Sequence, residues 1–218
     1  MNPLNMPTSA EPVFSQGNNT VVTQSASGKY FGGTSTLGME AGKWYCEVKY
    51  SSLASNGMVG INGMPGEQAR QNSQVSYTTS GFGYNNVGEK CTNLTDTSYG
   101  DSYTTSNVIG IAVDLDNLKI YFAKDNVWQD SGDPTSGATG TGALSITAVG
   151  STPLGAYFAG LTYWAGGSNT ATFGFNFGNP SYANTSDAED ENGYGKFEYA
   201  PPSGYLAICT KNLGSDGG

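Results

Sequence analysis

The acidic and amide side chains in the stretch GIAVDLDNLKIYFAKDN (110–126) are the first group that could carry chemistry. Oxygen-bearing side chains at this density suggest a calcium loop, in which twelve positions supply ligands in a fixed order. Counted from Asp114, however, the fifth position is Leu118, and the sixth is Lys119, where the loop needs glycine. The twelfth is Asp125, a side chain too short to replace the bidentate Glu easily. The pattern therefore favours solvated acids beside turns, and we expect no metal site.

Paired carboxylates would allow glycoside hydrolysis, and the outward-facing candidates are Glu47, Asp114 and Asp116. One of them would have to be a buried proton donor with a raised pKa, and no sequence pattern identifies such a group. The chain also has no histidine, which removes the most frequent general base and the commonest zinc ligand. We therefore expect no enzyme activity, no catalytic residue and no cofactor.

Five aromatic residues near predicted loops or strand ends are candidates for ligand binding: Trp128, Tyr163, Trp164, Tyr99 and Tyr103. Rings at such positions anchor peptides or stack against sugars. They also close the open ends of β-sandwiches, and the sequence leaves both roles open. The acidic run DAEDE (187–191) has two interpretations as well. It is either a solvated mobile loop or a region that attracts a cation or a basic partner.

The elements that must position these residues are strands with alternating side chains. Alternation assigns the following residues to core faces: Trp44, Cys46, Val48 and Tyr50 in one strand, and Ile109, Ile111, Val113 and Leu115 in another. The opposite faces carry Glu47, Asp114 and Asp116, which we expect to meet solvent. The pattern predicts a hairpin around Asn117 and a final strand over GYLAICTKNL (204–213).

Composition supports one large all-β domain. Glycine, serine, threonine and asparagine are abundant in the 218 residues, charged residues are scarce, and no linker separates two sets of strands. We expect residues 13–213 to form two packed antiparallel sheets, a β-sandwich. Residues 1–12 are predicted to be an extended arm, and residues 214–218 a flexible tail or the start of a linker.

The charge and the apolar runs exclude several classes of partner. The net charge of −9 repels phosphate backbones and anionic lipid, so we expect no nucleic-acid partner. No apolar run reaches the roughly 20 residues of a spanning helix, so we expect no membrane insertion. The start has no basic residue and no apolar region of a secretory signal, and three cysteines form an odd set. Both features indicate reduced thiols and folding in a cytoplasm.

The arm MNPLNMPTSAEP carries two apolar side chains, Leu4 and Met6, among three prolines. Proline has already restricted such a chain, so it docks on a partner at low entropic cost. Docking onto a neighbouring subunit and a disordered start are equally compatible with the sequence.

Several ordered motifs resemble the SPRY family (the B30.2-type domain). GKWYCEVKYSS resembles its G-K-W-Y-W-E-V strand, GMVGING its V-G-I strand, and GFGYNNVGEKCTN its W-G-Y…G-K hairpin. NVIGIAVDLDNLKIYFAKDN is similar to its block D-x-I-G-x-x-x-D-x-D-x-G-x-L-x-F-x-x-N-G, and TATFGFNFGN to its V-x-x-N-F-G strand. The family's glycine after D-x-D-N is absent, so we expect a shorter turn at Asn117. Cys46 replaces the second Trp of the first motif, and Val127 follows Asn126 where the family has Gly.

The resemblance implies a bent, concanavalin-like sandwich without catalysis, which binds proteins through loops at one end. YAPPSGYLAICTKNL resembles the ending of SPRY domains in tailed-phage structural proteins. We therefore expect a virion protein assembled in the host cytoplasm, either a capsid decoration or a tail-fibre component. Its expected partner is another virion subunit, with a homo-oligomer also considered. The alternative is a lectin-like module that binds a host-surface glycan.

Overall fold

The computed structural model describes residues 1–5, 12–24, 29–53, 56–64, 75–76, 78–93, 95–165 and 169–214. These residues form two β-sheets that share one apolar core, which confirms the predicted all-β, two-sheet sandwich. In pairing order, the first sheet contains β1 (Val13–Ser15), β2 (Thr20–Val22), β14 (Ala171–Asn176), β4 (Lys43–Leu53), β9 (Val108–Asp114), β10 (Lys119–Lys124) and β11 (Val127–Trp128). The short β12 (Leu144–Ser145) pairs with β10, and β15 (Leu206–Ala207) runs parallel to β4.

The second sheet is antiparallel throughout. Its strands, in pairing order, are β3 (Lys29–Thr34), β13 (Phe158–Ala165), β5 (Gly57–Asn62), β6 (Gly81–Asn85), β7 (Glu89–Thr92) and β8 (Thr95–Ser98). Helical structure in the described residues is limited to α1 (Thr210–Leu213) and to 3-10 turns at Gln129–Ser131, Gly137–Thr139 and Val149–Ser151. The predicted final strand is thus wrong beyond β15, because the chain bends into α1 within three residues.

The core faces assigned by alternation are confirmed. Trp44, Cys46, Val48 and Tyr50 lie in the main core, together with Ile109, Ile111, Val113 and Leu115 of the predicted hairpin. β9 and β10 pair antiparallel, with Ile120 opposite Val113. The hairpin turn is not shortened by the missing glycine, because Leu118 takes that place with φ 56°. A left-handed backbone costs a leucine roughly 1–2 kcal/mol, which the paired strands on either side must offset.

The outer face of the first sheet is covered by residues 188–207, which we call the covering segment or the cover. This finding overturns the expectation that the face meets solvent. Phe197, Tyr205 and Ala207 pack there against Tyr45, Ala112 and Tyr121 in a second apolar cluster. The predicted solvated acids Glu47 and Asp114 are fully buried beneath this cover. The sequence signal for the strand faces was correct, but alternation does not show whether a face is later covered.

The acidic run contributes to this cover instead of forming only a solvated loop. Asp190 is 7% exposed. Its Oδ1 accepts hydrogen bonds from the backbone N–H groups of Asn192 and Tyr194, at 3.0 and 2.8 Å. Its Oδ2 accepts from the N–H of Ala207 at 2.8 Å and from Nδ2 of Asn212 at 2.7 Å. Asp190 therefore joins the acidic run to β15 and α1.

The outer face of the second sheet is covered in a different way. Val75 lies across it and forms a small cluster with Met58 and Cys91. A Cβ built at Gly81 would stand 2.1 Å from the carbonyl oxygen of Val75, and one at Gly160 would stand 2.8 Å from its Cγ2. Glycines thus provide the space that Val75 occupies, and larger side chains at these two positions would displace it.

Residues 1–5 of the predicted arm lie against the sandwich. The N–H of Asn2 donates to the carbonyl of Thr34 at 2.9 Å, and Nδ2 of Asn5 donates to its Oγ1 at 2.7 Å. Met1 is buried in the main core, whereas Leu4 is 94% exposed. Met6, the second predicted docking residue, lies outside the described residues.

Candidate functional site

Three of the five predicted ligand-binding aromatics lie in the core. Tyr99 is 6% exposed, Tyr103 is 3% exposed and Tyr163 is fully buried. Tyr99 donates its hydroxyl to the carbonyl of Gly142 at 3.0 Å, and Tyr103 donates to the carbonyl of Tyr84 at 2.8 Å. Their rings complete the packing between the sheets, so they present no free face to a ligand.

The two tryptophans are half-buried and belong to different sheets. Trp128 lies in β11 and packs edge-on to Tyr121, with ring centroids 6.5 Å apart, at the border of the first sheet's outer cluster. Trp164 lies in β13 of the second sheet and pairs with Tyr30 of β3 at 4.4 Å. In β13 its neighbour Tyr163 faces the core, so alternation turns Trp164 to the outer face. The predicted aromatic site is therefore not one site, and Trp164 is the tryptophan that lies on the outer face of the second sheet.

A cavity of about 110 Å³ adjoins the Tyr30–Trp164 pair on that outer face. Strands β3, β5, β6, β7, β8 and β13 each contribute to its wall. The lining residues are Tyr30, Asn56, Gly57, Met58, Asn85, Val87, Glu89, Asp96 and Thr162. We call this the outer-face pocket. Because most of its wall is sheet, the pocket is held in a fixed shape.

The charged side chains of the outer-face pocket are both acidic. Among its described lining residues are Glu89 and Asp96, without any lysine or arginine. Asn85 positions Glu89 twice: its Nδ2 donates to Oε2 at 3.0 Å, and its Oδ1 accepts from the Glu89 N–H at 2.9 Å. Lys90 extends away and lies over the ring of Tyr99, 5.4 Å from its centroid. The pocket therefore presents negative charge beside aromatic rings.

The thiol next to this pocket is not a nucleophile. Burial, reinforced by a hydrogen bond to Asp96, raises the pKa of Cys91 to about 12. Its Sγ lies 2.8 Å from Oγ of Ser76. Since the thiolate is the reactive form, Cys91 is inert at neutral pH.

Glu47, one of the candidate catalytic acids, is hydrogen-bonded by other groups of the protein. Its carboxylate accepts hydrogen bonds from the N–H groups of Glu198 and Tyr199 at 3.0 and 2.9 Å. It also accepts from Nδ2 of Asn176 at 3.0 Å and from the hydroxyls of Tyr45 and Tyr182, both at 3.2 Å. Burial raises the pKa of Glu47, and the bonds from Glu198, Tyr199, Asn176 and Tyr45 oppose that rise. The group fastens the covering segment to β4 and has no opening to a substrate.

The acids of the hairpin are likewise occupied by protein groups. Oδ1 of Asp114 accepts from the N–H of Asn117 at 2.9 Å, and Oδ2 accepts from its Nδ2 at 2.9 Å. Lys43 pairs with Oδ2 at 3.3 Å. Asp116 is exposed and accepts from the N–H of Gly42 at 3.0 Å. Across the described residues, no group of three or more Cys, Asp or Glu side chains has the geometry to hold a metal ion.

The sequence matches the model of the SPRY domain family over residues 43–152, just over half of the chain. The protein belongs to the SPRY family. Two human structures are similar to it. The SPRY domain of human HERC1 superposes with a TM-score of 0.55 at 14% identity, covering 80% of this chain and 95% of that one. A second human SPRY domain superposes with a TM-score of 0.53 at 10% identity, covering 75% of this chain and 93% of that one. At such identities the likeness establishes the fold alone.

Comparison with curated protein sequences gives no match. SPRY domains are generally protein-interaction modules, typically without catalysis. None of the helices in the described part of the chain has the length and hydropathy needed to cross a bilayer.

Proposed function

We propose that this protein is a non-enzymatic binding module that recognises a protein partner at the outer-face pocket. The observation that carries the proposal is that Tyr30, which packs on Trp164, lines the same cavity of the sheet as Glu89 and Asp96. Amphipathic rings at a preformed concave surface are the usual anchors of protein interfaces.

The charge of the pocket defines the part of the partner that enters it. Its two carboxylates and the ring of Tyr30, which Trp164 backs, attract a lysine or arginine side chain by ion pairing and by cation–π contact. The net charge of −9 adds long-range attraction for a basic segment. The proposed ligand is therefore a basic side chain on a loop or extended segment of the partner.

The proposed setting is a phage particle, in which the partner is another virion subunit. This setting, and the B30.2-type subdivision, are supported by the motif resemblance described above, including the ending YAPPSGYLAICTKNL. The exposed Leu4 is a second contact point for a neighbouring subunit or a second copy, because the bonds of Asn2 and Asn5 to Thr34 hold the segment around it in place. Assembly would take place in the host cytoplasm, on a capsid decoration or a tail fibre.

A host-surface glycan bound jointly by Trp128 and Trp164 is less well supported. The two rings belong to different sheets and share no cavity among those lined by described residues.

Selection of a random peptide library on the immobilised full chain tests the proposal. Enriched peptides are expected to contain lysine or arginine beside an apolar residue. Trp164→Ala is expected to weaken their binding about tenfold or more, as truncated anchor residues do. Glu89→Gln and Asp96→Asn are expected to weaken it roughly threefold to tenfold, with less effect at high salt.

The matched control is Glu40→Gln, which removes an exposed carboxylate at a site outside the outer-face pocket. It should leave peptide binding unchanged. Enriched peptides without basic residues, or peptides that bind Glu89→Gln and Asp96→Asn as tightly as the native chain, would overturn the proposed site.

A further inference from the structure

A second concave region lies away from the outer-face pocket, where the covering segment turns into α1. Two cavities of about 300 and 330 Å³ adjoin there. They have Phe177, Asn179 and Cys209 in common, so they form one groove, which we call the Cys209 groove. Each half falls within the roughly 300–1,000 Å³ that is typical of small-molecule sites.

The first half of the groove has polar, uncharged side chains beside the amino group of Met1, whose pKa burial lowers to about 6. Asn18, Asn19 and Thr36 face Asn179 across it, with Phe177 as its aromatic wall. No charged side chain occurs among its described lining residues. The side-chain amides of Asn18 and Asn179 and the hydroxyl of Thr36 make no hydrogen bond within the described part of the chain, whereas Asn19 uses its Nδ2 to bind the carbonyl of Asn179 at 2.9 Å. Three polar side chains thus retain donors and acceptors for a ligand.

The second half adds one more ring. Tyr194 and Thr210 line it, and the ammonium of Lys211 lies 4.5 Å from the centroid of the Tyr194 ring. Phe177 stacks on Phe175 at 5.5 Å, which fixes the orientation of the ring shared by both halves. Aromatic rings therefore stand in the walls of both halves, and Lys211 is the charged side chain among the described lining residues.

We propose that the Cys209 groove binds a neutral oligosaccharide. A sugar hydroxyl both donates and accepts a hydrogen bond, and the amide of asparagine does both as well. The apolar faces of sugar rings pack on aromatic side chains, here those of Phe177 and Tyr194. Both amino groups at the groove are engaged by the protein: that of Met1 donates to the carbonyl of Asn18 at 3.0 Å, and that of Lys211 lies over the Tyr194 ring. The net charge of −9 disfavours acidic sugars. This site does not depend on the outer-face pocket, so either assignment can fail without the other.

The reaction rate of the Cys209 thiol shows whether the groove is occupied. It is half-buried at the junction of the two cavities, whereas Cys46 and Cys91 are buried in the sandwich. A maleimide is therefore expected to modify Cys209 alone in the native protein. A ligand seated in the groove will slow that reaction.

The test begins with an array of neutral and acidic glycans probed with the full chain, followed by maleimide kinetics with each oligosaccharide that binds. Neutral oligosaccharides are expected to bind and to slow modification of Cys209. Asn179→Ala and Thr36→Ala change exposed side chains without a hydrogen bond of their own, so the fold will be retained. Each is expected to weaken glycan binding roughly threefold to tenfold, the loss of about one hydrogen bond.

Glu89→Gln serves as the control, since it changes the outer-face pocket and should leave glycan binding intact. The proposal is overturned if no neutral glycan binds, or if binding persists unchanged in Asn179→Ala and Thr36→Ala. It is also overturned if bound glycans leave the rate at Cys209 unchanged, or if neutral peptides protect Cys209 and oligosaccharides do not.

Discussion

On the outer face of the first sheet a carboxylate holds the covering segment, whereas on the outer face of the second sheet glycines make room for one valine. Glu47 collects five donors, two of them backbone N–H groups of the cover. Val75 sits instead where Gly81 and Gly160 have no side chain. The first arrangement gathers its hydrogen bonds on one buried carboxylate. The second combines close packing over glycines with two hydrogen bonds of the Val75 backbone, whose N–H donates to Oγ1 of Thr162 and whose carbonyl accepts from Nδ2 of Asn62.

The difference bears on where a ligand can bind. A cover held by a buried carboxylate must satisfy every donor, so it seals the face completely around Glu47. In the described part of the chain, Val75 covers only a portion of the second sheet, and the cavity beside it is open at Tyr30, the ring that pairs with Trp164. The outer-face pocket lies on the face that the described residues leave partly open.

Removing Glu47 is expected to give the largest effect. Glu47→Ala leaves five donors beneath the cover without their acceptor, and the free energy of unfolding should fall by roughly 3 kcal/mol or more. Urea denaturation followed by tryptophan fluorescence measures the change. Glu40→Ala is the control for loss of an exposed acid, and we expect it to stay within about 0.5 kcal/mol of the native chain. Equal stability of the two variants would mean that the carboxylate does not hold the cover.

Filling the glycine gap on the other face is expected to have an intermediate effect. Gly160→Ala places a methyl group 2.8 Å from Cγ2 of Val75. Overpacking of this kind destabilises by roughly 1–3 kcal/mol. In a Val75→Ala background the clash is absent, so Gly160→Ala should cost clearly less there. A double-mutant cycle by urea denaturation provides the comparison, and strictly additive effects would argue against a shape-based cover.

The smallest effect, roughly 1 kcal/mol at pH 9.5, is expected for the alkaline stability that depends on Cys91. The thiol has a pKa near 9.0 when solvated, and burial raises the pKa of folded Cys91 to about 12. The unfolded chain therefore loses this proton first as the pH rises. Stability that is complete below pH 9 is lost between pH 9 and 12. Cys91→Ala should show a shallower decline of the urea midpoint over this range than the native chain, irrespective of its stability at pH 8. Equal declines of the urea midpoint in Cys91→Ala and in the native chain would contradict the burial of this thiol.

Whether the sequence predicts a contact depends on how far apart the two residues lie along the chain. The strand faces around Val48 and Val113 followed from alternation, because the pleat of a strand fixes which side chains point together. The burial of Glu47 and Asp114 did not follow, because their cover comes from residues far along the chain. The same limit applied to Tyr99 and Tyr103, which lie at strand ends by sequence and between the sheets in space.

The candidate sites show the same limit. Trp164 was identified as a ligand-binding candidate by residue type, but its partner Tyr30 and the acids Glu89 and Asp96 were not, since strand pairing alone brings them together. For the Cys209 groove the available signal was the clustering of asparagines at 18–19 and at 179, which only the fold places opposite each other.

The bonds between Glu47 and the cover also set an order of events during synthesis. The N–H groups of Glu198 and Tyr199 lie 151 and 152 residues after the carboxylate that they bind. Strand β4 leaves the ribosome early, yet its acid lacks both backbone donors of the cover until residue 199 has emerged. Contacts of such long sequence separation form slowly, and an open sheet face attracts other chains in the meantime. A nascent chain halted before residue 198 is thus expected to bind chaperones or aggregate, and release of the complete domain to end that exposure.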